Sequence, residues 1–102
     1  MYEIITPENA KDIMDSDSDI IILDVREKDE YDSGHIPGSI LLPYTIIDQK
    51  AKEFLPDKNK QILVYCRSGR RSKIAAENLV ALGYTNVKEF GGILDWPYEI
   101  EK

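Results

Sequence analysis

Short runs of apolar residues, separated by stretches with helical spacing, organise this chain. The runs are rich in β-branched side chains, which is typical of strands buried on both faces of a sheet. They occur at residues 20–23 and 61–65, and two further short strands are predicted at residues 39–42 and 86–90. Helical patterns occur at residues 7–14, 27–32, 45–54 and 70–82, with a short helical turn near residues 93–96. Because strands and helices alternate, the pattern predicts an α/β domain with a parallel sheet covered on both sides.

Two of the predicted helices carry clear end signals. Thr6 can cap the first helix, and Pro7 suits its first position. The helix at 70–82 is the most amphipathic, and Gly83 can serve as its C-terminal cap. Its apolar face consists of Ile74, Ala75, Leu79 and Leu82.

Length and composition limit the possible architectures. The 102 residues fit one small domain spanning 1–102, and an apolar content of 42% is typical of a globular protein. No apolar run approaches the roughly 18 residues that cross a bilayer. The first residues lack the basic segment and apolar stretch of a signal peptide. We therefore expect no membrane association and no leader.

The charge and the single cysteine exclude further classes. A net charge of −6 argues against general nucleic-acid binding. Cys66 cannot form an internal disulfide, which favours a reducing compartment and predicts a cytoplasmic location. Together with His35, the only histidine, it supplies too few ligands for a zinc site. The sequence predicts no metal and no other cofactor.

The clearest chemical signal lies in residues 64–72, which pass from a predicted strand through a loop into the most amphipathic helix. Cys66 falls at the carboxyl end of the strand, where ligands of open α/β sheets bind. The eight residues from Cys66 to Lys73 contain no acid and four cations, Arg67, Arg70, Arg71 and Lys73. These cations and the helix N-terminus both favour a thiolate, and cysteines in such settings have a pKa of about 3.5–7.5.

A purely structural interpretation of this loop is also possible. A lone cysteine at a strand end is usually a small buried apolar residue. Cations at a helix N-terminus, however, oppose the helix dipole and destabilise the helix unless an anion binds there. This opposition favours a reactive cysteine at an anion site. Ser68 and Ser72 either donate hydrogen bonds to a substrate or cap the helix.

Three motifs, in the same order along the chain, resemble the rhodanese family. The first reads Leu-Asp-Val-Arg at residues 23–26, followed by Glu-Tyr at 30–31 and Gly-His-Ile-Pro-Gly-Ser-Ile at 34–40. The second is the loop from Cys66 to Arg71, and the third reads Gly-Gly-Ile-Leu-Asp-Trp at 91–96. The resemblance covers nearly the whole chain. It implies a five-stranded parallel sheet flanked by helices on both faces, with Cys66 as a carrier of sulfur.

The resemblance also implies a sulfurtransferase reaction. The Cys66 thiolate would attack the outer sulfur of a donor such as thiosulfate, release sulfite and pass the persulfide sulfur to cyanide or a thiol. Since the chain has no second cysteine, the acceptor must be external, either a small thiol or a thioredoxin-like protein. The substrate-binding loop would comprise Arg67, Ser68, Gly69, Arg70, Arg71 and Ser72.

Several residues have expected roles around this loop. The arginines would attract the donor's sulfonate, and Arg71 would also hold the loop through backbone carbonyls. A structural contact between Asp24 and Arg26 is expected to position the loop. We expect His35 to hydrogen-bond the backbone rather than act as a base, and Trp96 to pack in the core.

Two alternatives remain open from the sequence. One is a persulfide carrier or binding module that docks on a partner protein, since an intact Cys66 suits a carrier as well as an enzyme. The other is a cysteine phosphatase or arsenate reductase. Those families place an arginine six positions after the cysteine, where this chain has Ser72, whereas Arg71 is five positions after it. The shorter loop favours a sulfur atom over a phosphate.

Overall fold

A computed structural model describes the chain from Met1 to Lys102. The strands are β1 (Glu3–Ile4), β2 (Ile20–Asp24), β3 (Ile40–Leu41), β4 (Gln61–Cys66) and β5 (Val87–Gly92). All of them pair in parallel, in the order β1-β5-β4-β2-β3. The central strand β4 therefore lies between β5 and β2, and its carboxyl end is flanked by the ends of both.

Four α-helices connect the strands. They are α1 (Pro7–Ser16), α2 (Lys28–Ser33), α3 (Ile47–Phe54) and α4 (Arg70–Ala81), and short 3₁₀ turns occupy Tyr44–Ile46 and Ile93–Asp95. None of the helices combines the length and the apolar character needed to span a bilayer. With helices on both faces of a five-stranded parallel sheet, the predicted fold class is confirmed.

Two apolar cores lie on opposite faces of the sheet, because side chains alternate along each strand. The core under α3 and α4 includes Ile47, Ala51, Ile62, Val64, Cys66, Ala75, Ala76 and Leu79. The core on the other face includes Ala10 of α1 together with Ile36, Leu63, Tyr65, Phe90 and Trp96. The predicted burial of Trp96 is confirmed, since the side chain is 8% exposed.

The element boundaries differ from the predicted ones at a few positions. Helix α1 begins as predicted, with Thr6 Oγ1 accepting the backbone N–H of Asn9 at 3.0 Å, but it continues to Ser16. Strand β1 is not predicted by the apolar pattern. Its two residues are both exposed, and they form a strand because the edge of β5 offers backbone partners.

Strand β5 has a bulge beside the end of β4. Val64 pairs with Glu89, whereas Cys66 pairs with Gly92, so β5 has two residues where β4 has one. Bulges redirect side chains and are frequent next to active sites. The bulge here brings Glu89 and the Gly-Gly motif against the cysteine loop.

Replacing Leu79 by Ala is expected to destabilise the protein by about 2–5 kcal/mol, because the change leaves a cavity between α4 and the sheet. The Leu79 side chain is fully buried, whereas Leu94 is 60% exposed and provides a control with the same substitution. Leu94→Ala should cost less than about 0.5 kcal/mol. Urea unfolding measures both variants, and equal losses would contradict this assignment of the core.

Candidate active site

The sulfur of Cys66 lies at the end of β4, and the residue is 1% exposed. Its Sγ accepts the backbone N–H of Gly69 at 3.0 Å and lies 3.4 Å from Ser72 Oγ. Gly69 precedes the first residue of α4 and has a φ of +110°, a conformation that side-chain-bearing residues rarely adopt. This turn curls the loop back onto the sulfur.

The pKa of the Cys66 thiol is lowered from its ordinary value. Burial opposes ionisation, but it is outweighed by the hydrogen bonds that a thiolate would accept from the Ser72 side chain and from the backbone of Ser72, Gly69 and Ser68. The N-terminus of α4 contributes in the same direction through its unpaired N–H groups. The loop is thus a cradle for negative charge on sulfur.

The end of β5 supports the cradle from the other side. A Cβ atom on Gly92 would lie 2.0 Å from the carbonyl oxygen of Arg67, so only glycine fits at this position. Two residues further on, the Leu94 N–H donates to the same carbonyl at 3.2 Å. The Gly-Gly motif at 91–92 therefore shapes the cysteine loop through direct backbone contact.

The four cations predicted around the loop fall into two groups. Arg67 and Arg70 are exposed, and neither forms an ion pair. Arg71 binds Glu30 of α2 with both terminal nitrogens, at 2.6 and 2.8 Å. Lys73 Nζ lies 3.6 Å from a carboxylate oxygen of Glu89. Arg67 and Arg70 are thus the two cations of the loop without a carboxylate partner.

The contacts of Arg71 differ from the expected ones. Its guanidinium makes no hydrogen bond to the loop carbonyls that it was expected to hold, because both terminal nitrogens donate to Glu30. This hydrogen bonding lowers the pKa of Glu30 to about 2 and raises the pKa of Arg71. The pair connects the first and second sequence motifs across the fold.

Asp24 and Arg26 form a buried ion pair at the carboxyl end of β2. Arg26 Nη2 donates to Asp24 Oδ2 at 2.7 Å and to the Gly34 carbonyl at 2.8 Å. The Tyr65 hydroxyl donates to the same carboxylate oxygen at 2.7 Å. Burial and the nearby Asp24 raise the pKa of Tyr65. None of these hydrogen bonds involves Cys66. The network therefore stabilises the ends of β2 and β4 rather than a charge on the sulfur.

The contacts of His35 do not involve the cysteine loop. Its Nδ1 is 2.9 Å from the Tyr31 carbonyl oxygen, and its ring stacks on Tyr31 with a centroid distance of 3.8 Å. Its Nε2 is 3.4 Å from Glu101. These are the backbone and packing contacts of a structural histidine.

The two serines of the loop have different surroundings. Ser68 is exposed, whereas Ser72 is fully buried and donates to Glu89 Oε2 at 2.5 Å. The alternative in which one of them caps the helix is wrong, because the capping position is occupied by Gly69, which has no side chain.

Glu89 is a residue that the sequence analysis missed. Its side chain is fully buried, and Oε2 accepts the hydroxyl of Ser72 and the N–H of Gly91 at 2.8 Å. Its Oε1 has no hydrogen-bond partner. The available signal was strand alternation, which places residue 89 on the same face as Val87 and thus an acid in the core.

Together, the fold and this loop define an α/β protein with a buried, acidified thiol at the carboxyl edge of a parallel sheet. The chain belongs to the rhodanese-like domain family, whose model matches residues 6–98. The resemblance of the three motifs is confirmed. Sulfurtransferase activity is accordingly supported at the level of the family.

Named relatives include both a carrier and an enzyme. A Bacillus subtilis protein named as a sulfur carrier, YrkF, is 38% identical over 98 residues, which are 95% of this chain and 52% of that protein. The Escherichia coli thiosulfate sulfurtransferase PspE is 38% identical over 73 residues, or 72% of this chain and 70% of that enzyme. The chain thus spans about half of the first relative.

A solved structure of similar size shows the same fold. The rhodanese-related protein of Thermoplasma volcanium superposes with a TM-score of 0.84 at 31% identity, covering 98% of both chains. Nearly every element described above therefore has a counterpart in a relative of the family.

The Glu30–Arg71 pair should make stability depend on acid pH. Because the folded pKa of Glu30 is about 2 and the unfolded value is about 4.3, its stabilising contribution is present above about pH 4.3 and lost as the pH falls toward 2. Glu30→Gln should therefore be less stable than the wild type at neutral pH, and the difference should shrink on acidification.

Urea midpoints measured across this pH range test the pair. Glu53→Gln is the control, because Glu53 is 70% exposed and lies 3.8 Å from Lys50. An unchanging difference between Glu30→Gln and the wild type would show that the carboxylate charge is irrelevant.

Proposed function

We propose that this protein transfers sulfane sulfur from thiosulfate, or a similar anionic donor, through a persulfide on Cys66 to cyanide or a thiol. The observation that carries the proposal is the Gly69 N–H donating to Cys66 Sγ at 3.0 Å at the start of α4. A thiol in this position has a lowered pKa and is available as a nucleophile.

The first half of the reaction loads the cysteine. The Cys66 thiolate forms a bond to the outer sulfur of thiosulfate, the sulfur–sulfur bond of the donor breaks, and sulfite leaves with the electron pair. The outer sulfur of the resulting persulfide carries the negative charge. Donors arranged around the loop stabilise such a charge without reorganising.

The exposed arginines have a different task from the buried donors. Arg67 and Arg70 have no carboxylate partner, so they can attract a dianionic donor and hold its sulfonate. Arg71 is occupied by Glu30, and we assign it the joining of α4 to α2 rather than direct contact with the donor.

The second half of the reaction needs an acceptor from outside. Cys66 is the only cysteine, so no internal thiol can resolve the persulfide. Cyanide serves as an acceptor in an assay, and a small thiol or a thioredoxin-like protein would serve in the cell. A reducing compartment such as the cytoplasm suits the free thiol, and this location remains a prediction.

The sulfur-carrier alternative has its own support in the similarity to the Bacillus subtilis protein. The two functions share the persulfide and differ in the acceptor. A carrier should transfer sulfur to a partner protein, such as reduced thioredoxin, much faster than to cyanide. An enzyme of the thiosulfate type should turn over thiosulfate and cyanide many times without a partner.

Cys66→Ser should lower thiocyanate formation from thiosulfate and cyanide by about a thousandfold or more, because no other thiol can replace it. Mass spectrometry of the wild type after thiosulfate treatment should show one added sulfur atom that a reductant removes. Hydrolysis of an aryl phosphate by the same sample should be negligible beside sulfur transfer. Substantial residual transfer in the variant would exclude the Cys66 persulfide, and phosphatase turnover at a similar rate would favour the phosphatase alternative.

The double variant Arg67→Ala/Arg70→Ala should raise the KM for thiosulfate by about tenfold, a loss of about 1.4 kcal/mol, with a smaller change in kcat. The effect should shrink at high salt, since the Debye length falls from about 10 Å at 0.1 M to about 3 Å at 1 M. Lys11→Ala/Lys60→Ala removes the same charge elsewhere and serves as the control. A salt-independent loss, or an equal loss in the control, would rule out attraction of the donor by these arginines.

A further inference from the structure

A chain of three buried side chains connects the cysteine to an acid. Cys66 Sγ lies 3.4 Å from Ser72 Oγ, and Ser72 Oγ lies 2.5 Å from Glu89 Oε2. Cys66 is 1% exposed, and both Ser72 and Glu89 are fully buried. The other oxygen of Glu89 has no hydrogen-bond partner. A buried carboxylate oxygen without a hydrogen bond lowers the stability of the fold, so its presence here calls for a functional explanation.

The hydroxyl of Ser72 has one proton and several neighbours that could accept it. These acceptors are the Gly69 carbonyl at 3.0 Å, the Gly91 carbonyl at 3.3 Å and Glu89 Oε2 at 2.5 Å. The carboxylate oxygen is the nearest of the three and the strongest acceptor when ionised. While Ser72 donates to Glu89, its oxygen can only accept a hydrogen bond from the Cys66 thiol.

The two protonation states of Cys66 therefore need opposite orientations of the Ser72 hydroxyl. A thiol donates its proton to Ser72 Oγ, whereas a thiolate requires the hydroxyl proton to point at the sulfur. The other groups at Sγ, the Gly69 N–H and the neighbouring backbone N–H groups, can only donate. Ser72 is thus the protein group through which the thiol proton can leave, and Glu89 is the acceptor beyond it.

We propose that Glu89 is a positioning residue that shares one proton with Cys66 through the Ser72 hydroxyl. When the thiolate forms, the Cys66 S–H bond breaks and the proton binds Ser72 Oγ. The original hydroxyl proton moves to Glu89 Oε2. One negative charge passes from the carboxylate to the sulfur, and the net charge is unchanged. The inference rests on the proposed function, in which this thiolate is the nucleophile.

Lys73 influences whether the negative charge lies on Glu89 or on Cys66. Its Nζ is 3.6 Å from Glu89 Oε1, and its side chain is 47% exposed, so it stabilises the ionised carboxylate only partly. The elements packed next to β4 and α4 also carry charged or titratable groups, namely Asp24, Arg26, Glu30, Tyr44, Tyr65, Arg67, Arg70 and Arg71. The arginines keep their charge, Glu30 titrates at about 2, and the pKa of Tyr65 is raised.

A shared proton gives the pair a recognisable titration. The first proton leaves Cys66 and Glu89 jointly, so only part of the sulfur is thiolate until the second proton leaves at higher pH. The rate of Cys66 alkylation by iodoacetamide, a neutral reagent, should therefore rise in two steps separated by at least about one pH unit. An isolated thiol would give a single step.

The experiment measures this alkylation rate between about pH 4 and pH 10 in the wild type and three variants. Glu89→Gln should show one step, without the upper one, because the competing carboxylate is gone. Ser72→Ala should lose the lower step, because no hydroxyl can donate to the thiolate. Glu77→Gln removes one negative charge from an exposed position of α4 and should retain both steps.

Each result of this experiment either supports or overturns the proton shared by Cys66 and Glu89. A single step in the wild type, or two unchanged steps in Glu89→Gln, would overturn it. If Glu89→Gln fails to fold, the wild-type profile and that of Ser72→Ala give the answer. Thiosulfate turnover, measured on the same samples, keeps the two proposals separate. Two steps without turnover would refute the sulfurtransferase function alone, and turnover with a single step would refute the shared proton alone.

Discussion

Burial of the Cys66 sulfur is the constraint around which the rest of the site is organised. A cysteine that is 1% exposed has little help from solvent in carrying a negative charge, so the protein must supply the compensation. It does so with backbone N–H groups, which Gly69 directs at the sulfur from the first turn of α4. The glycine at position 92 lets β5 approach closely enough to hold this turn. Loop, helix N-terminus and bulge thus all contribute to one site for negative charge on the sulfur.

Carboxylates from distant parts of the chain moderate the positive charge of the loop. Glu30 forms an ion pair with Arg71, and Glu89 lies beside Lys73 of α4. What remains at the surface is a smaller positive patch, formed by Arg67 and Arg70. This division separates two tasks: the exposed arginines meet a donor, while the buried acid lies one hydroxyl away from the sulfur. An acidic protein can thereby present a local site for an anion.

Most of the strands and helices could be predicted from the spacing of apolar residues along the chain. Four of the five strands were predicted, and β2 and β4 were clear as apolar runs because central strands of a parallel sheet are buried on both faces. The helices followed from their spacing and end signals, with Thr6 capping α1 as expected. Strand β1 was not predicted, because its two residues are exposed and show no apolar pattern. It forms by backbone pairing with the edge of β5. The bulge was not predicted, because it depends on how β5 pairs with β4.

For the site, the sequence by itself determined whatever is contiguous: Cys66 at a strand end, the following turn and the basic start of a helix. Tertiary structure alone decided which cations remain exposed and which acids approach the sulfur. Glu30 and Arg71 are 41 positions apart, and Ser72 and Glu89 are 17 apart. Their contacts depend on strand register, and a shift by one residue would turn Glu89 to the opposite face of the sheet. Local spacing can indicate the face on which Glu89 lies, but it does not place Glu89 beside Ser72, because that contact is set by packing between elements distant in sequence.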